Sequence, residues 1–125
     1  MKKKILIVDA DPNIVISLEF LMQKDGYDVA LAADGEEAIQ KVQSFHPDLV
    51  LMDAVMPKKT GYELCESLRS DPAFGSTRIL MLSAKSRDSD VAKGLALGAD
   101  MYMTKPFSSK ELAGNVKSLL GLSLV

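Results

Sequence analysis

The chain has 125 residues, 47% of them apolar and 26% charged, which is the size of one ordinary domain and too apolar for a disordered chain. Fifteen Lys and Arg against seventeen Asp and Glu leave a net charge of -2, so no cationic excess is present to neutralise a row of phosphates, and direct nucleic-acid binding is not expected. The single cysteine, Cys65, can form no internal disulfide, which suits a reducing compartment.

The opening "MKKKILIV" sets lysines before apolar residues, as a signal peptide does. The apolar run stops at Asp9, however, short of the about 7–15 residues a signal needs. No later run is long enough to span a bilayer. The expected location is the cytoplasm, without membrane attachment.

In chain order, a first apolar run, Ile5–Val8, reads as a strand. Asp11 followed by Pro12 then suits a helix cap and first helical position, and Ile14, Val15, Leu18, Leu21 and Met22 share one helical face up to a stop at Gly26. A second run, Val29–Ala32, leads to Asp34 and Glu37, spaced as a capping box, and to the helical set Ala38, Ile39, Val42 and Phe45. A third, Leu49–Met52, is followed by Gly61, Leu64, Cys65 and Leu68 at helical spacing. A fourth, Ile79–Leu82, precedes a weaker helix marked by Val91 and Leu95 and ended by Gly98. The fifth, Met101–Thr104, precedes a second box at Ser108 and Glu111 and the face Leu112, Val116, Leu119 and Leu120. His46 falls in a loop, and with no second histidine it cannot build a zinc site.

The runs recur about every 24 residues, one βα unit each, and most are continuous rather than alternating, as in parallel strands covered on both faces. Right-handed crossovers place helices on both sides. The expected fold is a single (βα)5 doubly wound parallel sheet over residues 1–125. Methionines 52, 56, 81, 101 and 103 fill gaps in its core, since thioether does not suit a hard cation.

Ligands of such sheets bind at the carboxyl ends of the strands. There the first run ends at Asp9, the third at Asp53, the fourth at Ser83 and the fifth at Lys105. Two carboxylates, a hydroxyl and an ammonium on one rim suit phosphoryl transfer. A carboxylate can attack phosphorus, and the remaining groups neutralise or hydrogen-bond the phosphoryl oxygens. A hard cation such as Mg2+ takes oxygen ligands of this kind.

The motifs "ILIVDADP", "DLVLMDAVMPKKTGYEL", "ILMLSAKS", "GLALGADMY" and "TKPF", in this order, resemble the receiver domain of two-component response regulators across residues 3–121. The resemblance implies a flavodoxin-like strand order 2-1-3-4-5. It implies a phosphoryl group taken by Asp53 from a sensor histidine kinase or phosphotransfer protein, with no enzymatic turnover beyond self-catalysed transfer and autodephosphorylation. It further implies Mg2+ held by Asp9, Asp53 and the backbone carbonyl of Val55, a switch hydroxyl at Ser83, a paired lysine at Lys105, a switch aromatic at Tyr102 and a cis peptide at Lys105–Pro106. The signal would leave through the surface of the fourth helix, fifth strand and fifth helix to a downstream partner or an output domain.

One position departs from that pattern. Where the family usually carries a second acid beside Asp9, a direct metal ligand, this chain has Ala10. Weakened Mg2+ affinity is therefore expected, unless the nearby Asp11 compensates. An alternative function follows: a receiver-like protein-interaction module with weakened or lost phosphorylation. A third reading, an aspartyl-phosphate phosphatase suggested by Asp9 and Asp11 in "DAD", is opposed by Asn13 and by the lack of room for a cap domain. A flavin mononucleotide carrier is opposed by the charge of Asp9 and Asp11 beside the first strand.

Overall fold

The computed structural model describes residues 2–56 and 58–122, so Met1, Pro57 and residues 123–125 of the expected range lie outside the described residues. Strands and helices alternate: β1 (Lys4–Val8), α1 (Pro12–Lys24), β2 (Asp28–Ala32), α2 (Gly35–Phe45), β3 (Leu49–Met52), α3 (Gly61–Ser70), β4 (Arg78–Ser83), α4 (Asp88–Ala96), β5 (Met101–Thr104) and α5 (Ser109–Leu119). All strand pairings are parallel and the order is β2-β1-β3-β4-β5. The flavodoxin-like arrangement implied by the sequence motifs is thus the observed one. A 3-10 turn at Pro72–Phe74, unanticipated from the sequence, connects α3 to β4.

Continuous apolar runs form these strands because both sheet faces are covered. Leu6, Val8, Val50, Met52, Ile79 and Met81 point to the side of α2 and α3, where Ala38, Val42, Leu64, Cys65 and Leu68 meet them. Ile5, Ile7, Leu49, Leu51, Leu80 and Leu82 point to the side of α1 and α5, against Leu18, Met22, Leu112 and Val116. Each large side chain so buried contributes about 1.5–3 kcal/mol. The five methionines behave as packing groups, with Met52, Met56, Met81 and Met103 buried.

Helix starts follow local chemistry. Asp11 accepts from Asn13 N at 2.9 Å, Asp34 from Glu37 N at 2.9 Å and Ser108 from Glu111 N at 3.2 Å. Glu37 closes its half of the box on Ala33 N, one residue before the cap. A complete box at Thr60 and Glu63 was legible as T-x-x-E but was not among the expected caps. The expected stops at Gly26 and Gly98 have φ of +89° and +114°. His46 has φ of 52° and ends α2 in the left-handed conformation, so this loop residue is also a helix C-cap.

At the amino ends of β4 and β5, Arg69 clamps four segments. Its guanidinium donates to the carbonyls of Gly98 at 2.9 Å, Thr77 at 2.7 Å and Phe74 at 3.3 Å, and to Asp100 Oδ2 at 2.8 Å. Asp100 Oδ2 also accepts from Ile79 N at 2.7 Å. Truncation to alanine leaves three carbonyls and a half-buried carboxylate without this donor. Arg69→Ala is expected to cost about 2–4 kcal/mol, read as a lower denaturation midpoint at unchanged slope. Arg69→Lys recovers the charge but not the planar fork, and should regain less than half of the loss. A loss for the alanine variant below about 0.5 kcal/mol would mean that water replaces the guanidinium.

Candidate functional site

The parallel register brings the ends of β1 and β3 side by side, Val8 opposite Met52. Asp53 N donates to Val8 O at 3.0 Å and Asp9 N to Ala32 O at 3.2 Å, so ladder geometry continues one residue past each strand. Both carboxylates therefore leave the same rim. Lys105, tied to β4 by Lys105 N donating to Ser83 O at 2.9 Å, reaches back across β4. Its Nζ donates to Asp9 Oδ2 at 2.8 Å and to Asp53 Oδ2 at 2.9 Å. The remaining oxygens are held by backbone: Asp9 Oδ1 accepts from Asp11 N at 2.9 Å and Asp53 Oδ1 from Val55 N at 3.0 Å.

Access distinguishes the two acids, since the Asp9 side chain is 4% exposed and that of Asp53 15%. Burial alone would lower the pKa of Lys105, but its bonds to Asp9 and Asp53 outweigh it and raise the pKa above the ordinary lysine value. The stabilisation from this pairing is complete at neutral pH and is lost only as alkaline pH passes through the raised value. The three groups together carry one net negative charge.

Ser83 stands on the same rim, 1% exposed, with its Oγ accepting from Lys85 N at 3.2 Å. Tyr102, half-buried, donates its hydroxyl to Lys85 O at 2.8 Å. The structure thus brings Asp9, Asp53 and Lys105 into direct contact, while Ser83 and Tyr102 meet at the backbone of one loop residue. The Lys105–Pro106 peptide is cis.

Asp11 is exposed and its Oδ1 is committed to capping α1, while its amide serves Asp9. One oxygen of the carboxylate that would compensate for Ala10 is therefore engaged in the cap. Ala10 itself borders an apolar hollow with Pro12, Val15, Ile16 and Leu31. Among the described residues, no group of three His, Cys, Asp or Glu is placed to hold a metal ion. The Asp9 and Asp53 carboxylates and the Val55 carbonyl are nonetheless hard oxygen donors of the kind a small divalent cation takes, one carboxylate fewer than the family pattern supplies.

Gly61, read from the sequence only as part of an apolar helix face, supports the site directly. Its amide donates to Ala54 O at 3.0 Å, and a Cβ there would overlap the Asp53 carbonyl oxygen. The start of α3 thus lies against the backbone that carries Asp53. Its cap, Thr60 with Glu63, fixes the far end of the same loop.

Two carboxylates bonded to one lysine stand on the carboxyl rim of a parallel 2-1-3-4-5 sheet, the edge at which doubly wound α/β proteins bind their ligands. The sequence pattern of the response regulator receiver domain matches residues 5–117, and the chain belongs to that family. It is 47% identical over 120 residues to the alkaline phosphatase synthesis transcriptional regulatory protein PhoP of Bacillus subtilis, covering 96% of this chain and 49% of that protein. It is 40% identical over 115 residues to protein PilG of Pseudomonas aeruginosa, covering 92% of this chain and 85% of that one. The crystal structure of the chemotaxis response regulator CheY4 of Vibrio cholerae superposes with a TM-score of 0.89 at 32% identity, covering 95% of this chain and 99% of that one. The chain spans about half the length of PhoP and of similar curated regulators it matches.

Receiver domains are signalling modules of two-component response regulators, generally not enzymes, and generally bind Mg2+. They interact with histidine kinases and downstream effectors. Among the described residues no helix is long and apolar enough to cross a membrane.

Proposed function

We propose that Asp53 accepts a phosphoryl group from a histidine kinase or phosphotransfer protein, and that this switches the surface of α4, β5 and α5 toward a downstream partner or output domain. The observation that carries the reading is the position of Lys105 Nζ, 2.9 Å from the more accessible of two carboxylates whose other oxygen is fixed by a backbone amide. Asp9, Asp53 and the Val55 carbonyl would hold Mg2+, which when bound neutralises charge on the transferred phosphoryl oxygens.

Transfer forms a bond from an Asp53 carboxylate oxygen to phosphorus. The phosphorus–nitrogen bond of the donor histidine breaks, and the imidazole nitrogen keeps the electron pair and takes a proton. Lys105 follows the new charge onto a phosphoryl oxygen. The Ser83 hydroxyl leaves Lys85 N to donate to another. Because Ser83 and Tyr102 meet at Lys85, that movement repacks the Tyr102 ring and couples the acyl phosphate to β5 and α4. This reading takes residues 1–125 as one receiver unit acting in the cytoplasm.

Acetyl phosphate with Mg2+ tests it. A hydroxylamine-labile adduct on Asp53, accompanied by a changed Tyr102 ring signal, is the expected result. Absence of both at millimolar Mg2+ would instead favour an interaction module whose site Ala10 has weakened.

A further inference from the structure

The loop between β3 and α3 carries Asp53 and the Val55 carbonyl, and it is fastened at both ends. At its base Gly61 N donates to Ala54 O at 3.0 Å, and at its far end Thr60 Oγ1 accepts from Glu63 N at 3.2 Å. Asp53 is also held by the sheet, its amide donating to Val8 O at 3.0 Å. Val55 has less to hold it. Its amide donates to Asp53 Oδ1, but its side chain is 51% exposed, so packing on Val55 itself does little to place its carbonyl. Met56 beside it is buried on the side of α2 and α3 and fixes the inner wall of the loop.

The outer part of the loop rests on the start of α2. Gly35, the first residue of that helix, is buried, and a Cβ there would overlap both the carbonyl oxygen and the Cβ of Lys59. Gly35 has no left-handed φ, so its own backbone would accept a side chain; the closeness of Lys59 is what excludes one. On the polar side of the same contact, Lys58 Nζ lies 3.6 Å from Asp34 Oδ2 and 3.8 Å from Glu36 Oε2. Lys58 is itself left-handed, with φ of 66°, an unfavourable conformation for lysine that persists where surrounding contacts fix the chain. Exposed ion pairs are weak, so the approach of Gly35 to Lys59 is what sets the distance of the loop from α2.

We propose that Gly35 is a positioning residue for the metal: by leaving room for Lys59, it seats the loop where the Val55 carbonyl and the Asp53 carboxylate serve the same cation. With Asp53 held by β1 and the loop closed at its base, a push at Lys59 falls on Val55. The effect on Mg2+ rests on Asp53 and Val55 being its ligands; the seating of the loop does not.

Gly35→Ala sets one methyl group against Lys59. Its Mg2+ affinity, measured by titration calorimetry, is expected to fall about tenfold, as follows when a residue that orients a metal ligand is lost. In the proton–nitrogen spectrum of the metal-free variant, the amides of Val55, Met56 and Lys59 should shift while those of Asp9 and Lys105 stay in place. A general loss of stability would not move the affinity, since calorimetry well below the melting temperature reads native protein alone. Unchanged affinity in folded Gly35→Ala overturns the proposal, as does an unmoved Val55 amide. Equal shifts at Asp9 and Lys105 also overturn it, because the whole rim would then have moved. If Gly35→Ala does not fold, Lys59→Gly compared with Lys59→Ala decides. Both lose the charge, and only the glycine variant loses the Cβ that bears on Gly35. Binding about two- to fivefold weaker for Lys59→Gly supports the seat, and equal affinities overturn it. If the parent chain binds no Mg2+, the ligand reading fails instead, and the Val55 amide alone decides whether α2 seats the loop.

Discussion

Asp53→Asn is expected to reduce covalent phosphorylation to background while leaving a folded protein. The amide of asparagine is not a nucleophile toward phosphorus, so the loss is complete rather than graded. Stability should change little, for reasons visible in the bonding. Lys105 keeps Asp9 at 2.8 Å, and the asparagine carbonyl can accept where Asp53 Oδ2 did. Like-charge repulsion between two carboxylates on one ammonium is relieved at the same time, offsetting part of the lost attraction. A net change within about 1 kcal/mol is expected from denaturant unfolding, well below the 3–5 kcal/mol of an isolated buried pair that loses one partner. Retained hydroxylamine-labile label on the variant, located by peptide mass, would move the acceptor to another residue and with it the whole reading of the rim.

Ala10→Asp is expected to tighten Mg2+ binding at least about tenfold, measured by titration calorimetry. Ala10 is exposed beside Asp9, so a carboxylate there has room, and Asp11 is already bonded to Asn13 N. The same substitution should make the metal-free protein less stable. Three acids would then face one lysine, and the added like charge at an effective dielectric between water and protein costs on the order of 1 kcal/mol. Mg2+ should therefore raise the melting temperature of the variant more than that of the parent chain, through tighter binding to the native state alone. An identical calorimetric titration for both proteins would show that this position contributes nothing to the metal, and that Asp9, Asp53 and Val55 already provide what the cation requires.

Of these two positions, strand-end placement alone had singled out Asp53, whereas Ala10 stood out only against the family pattern. The rim was legible because four of the five strands end abruptly, the run giving way to Asp9, Asp53, Ser83 or Lys105. A polar group at the carboxyl end of a parallel strand has one edge on which to emerge. The caps at Asp11, Asp34 and Ser108 were legible for a similar reason, since a cap acts within a few residues of itself. His46 was not, because a left-handed helix end at a histidine carries no strong local signal. Gly61 counted only as a small residue on an apolar face. Its proximity to the Asp53 carbonyl depends on how α3 leans on β3.

Arg69 and Tyr62 show the same limit. Arg69 sits on a helix like any exposed cation in the sequence, yet its partners lie 5, 8, 29 and 31 residues away. Tyr62 looks like an apolar-face aromatic, and the carbonyl it binds is 28 residues on.

By itself the amino-acid sequence determined the alternation of strands and helices, the two covered faces and the identity of the rim residues, because hydrophobic periodicity and capping are local. Its motifs, by resemblance, also indicated the strand order. Only the tertiary structure decided that Lys105 bonds both Asp9 and Asp53 across 96 and 52 residues, and that Ser83 and Tyr102 share Lys85. Hydrogen bonds depend on distances of a few tenths of an ångström. Such distances are set by register and packing between segments remote in the chain, which no periodic pattern encodes.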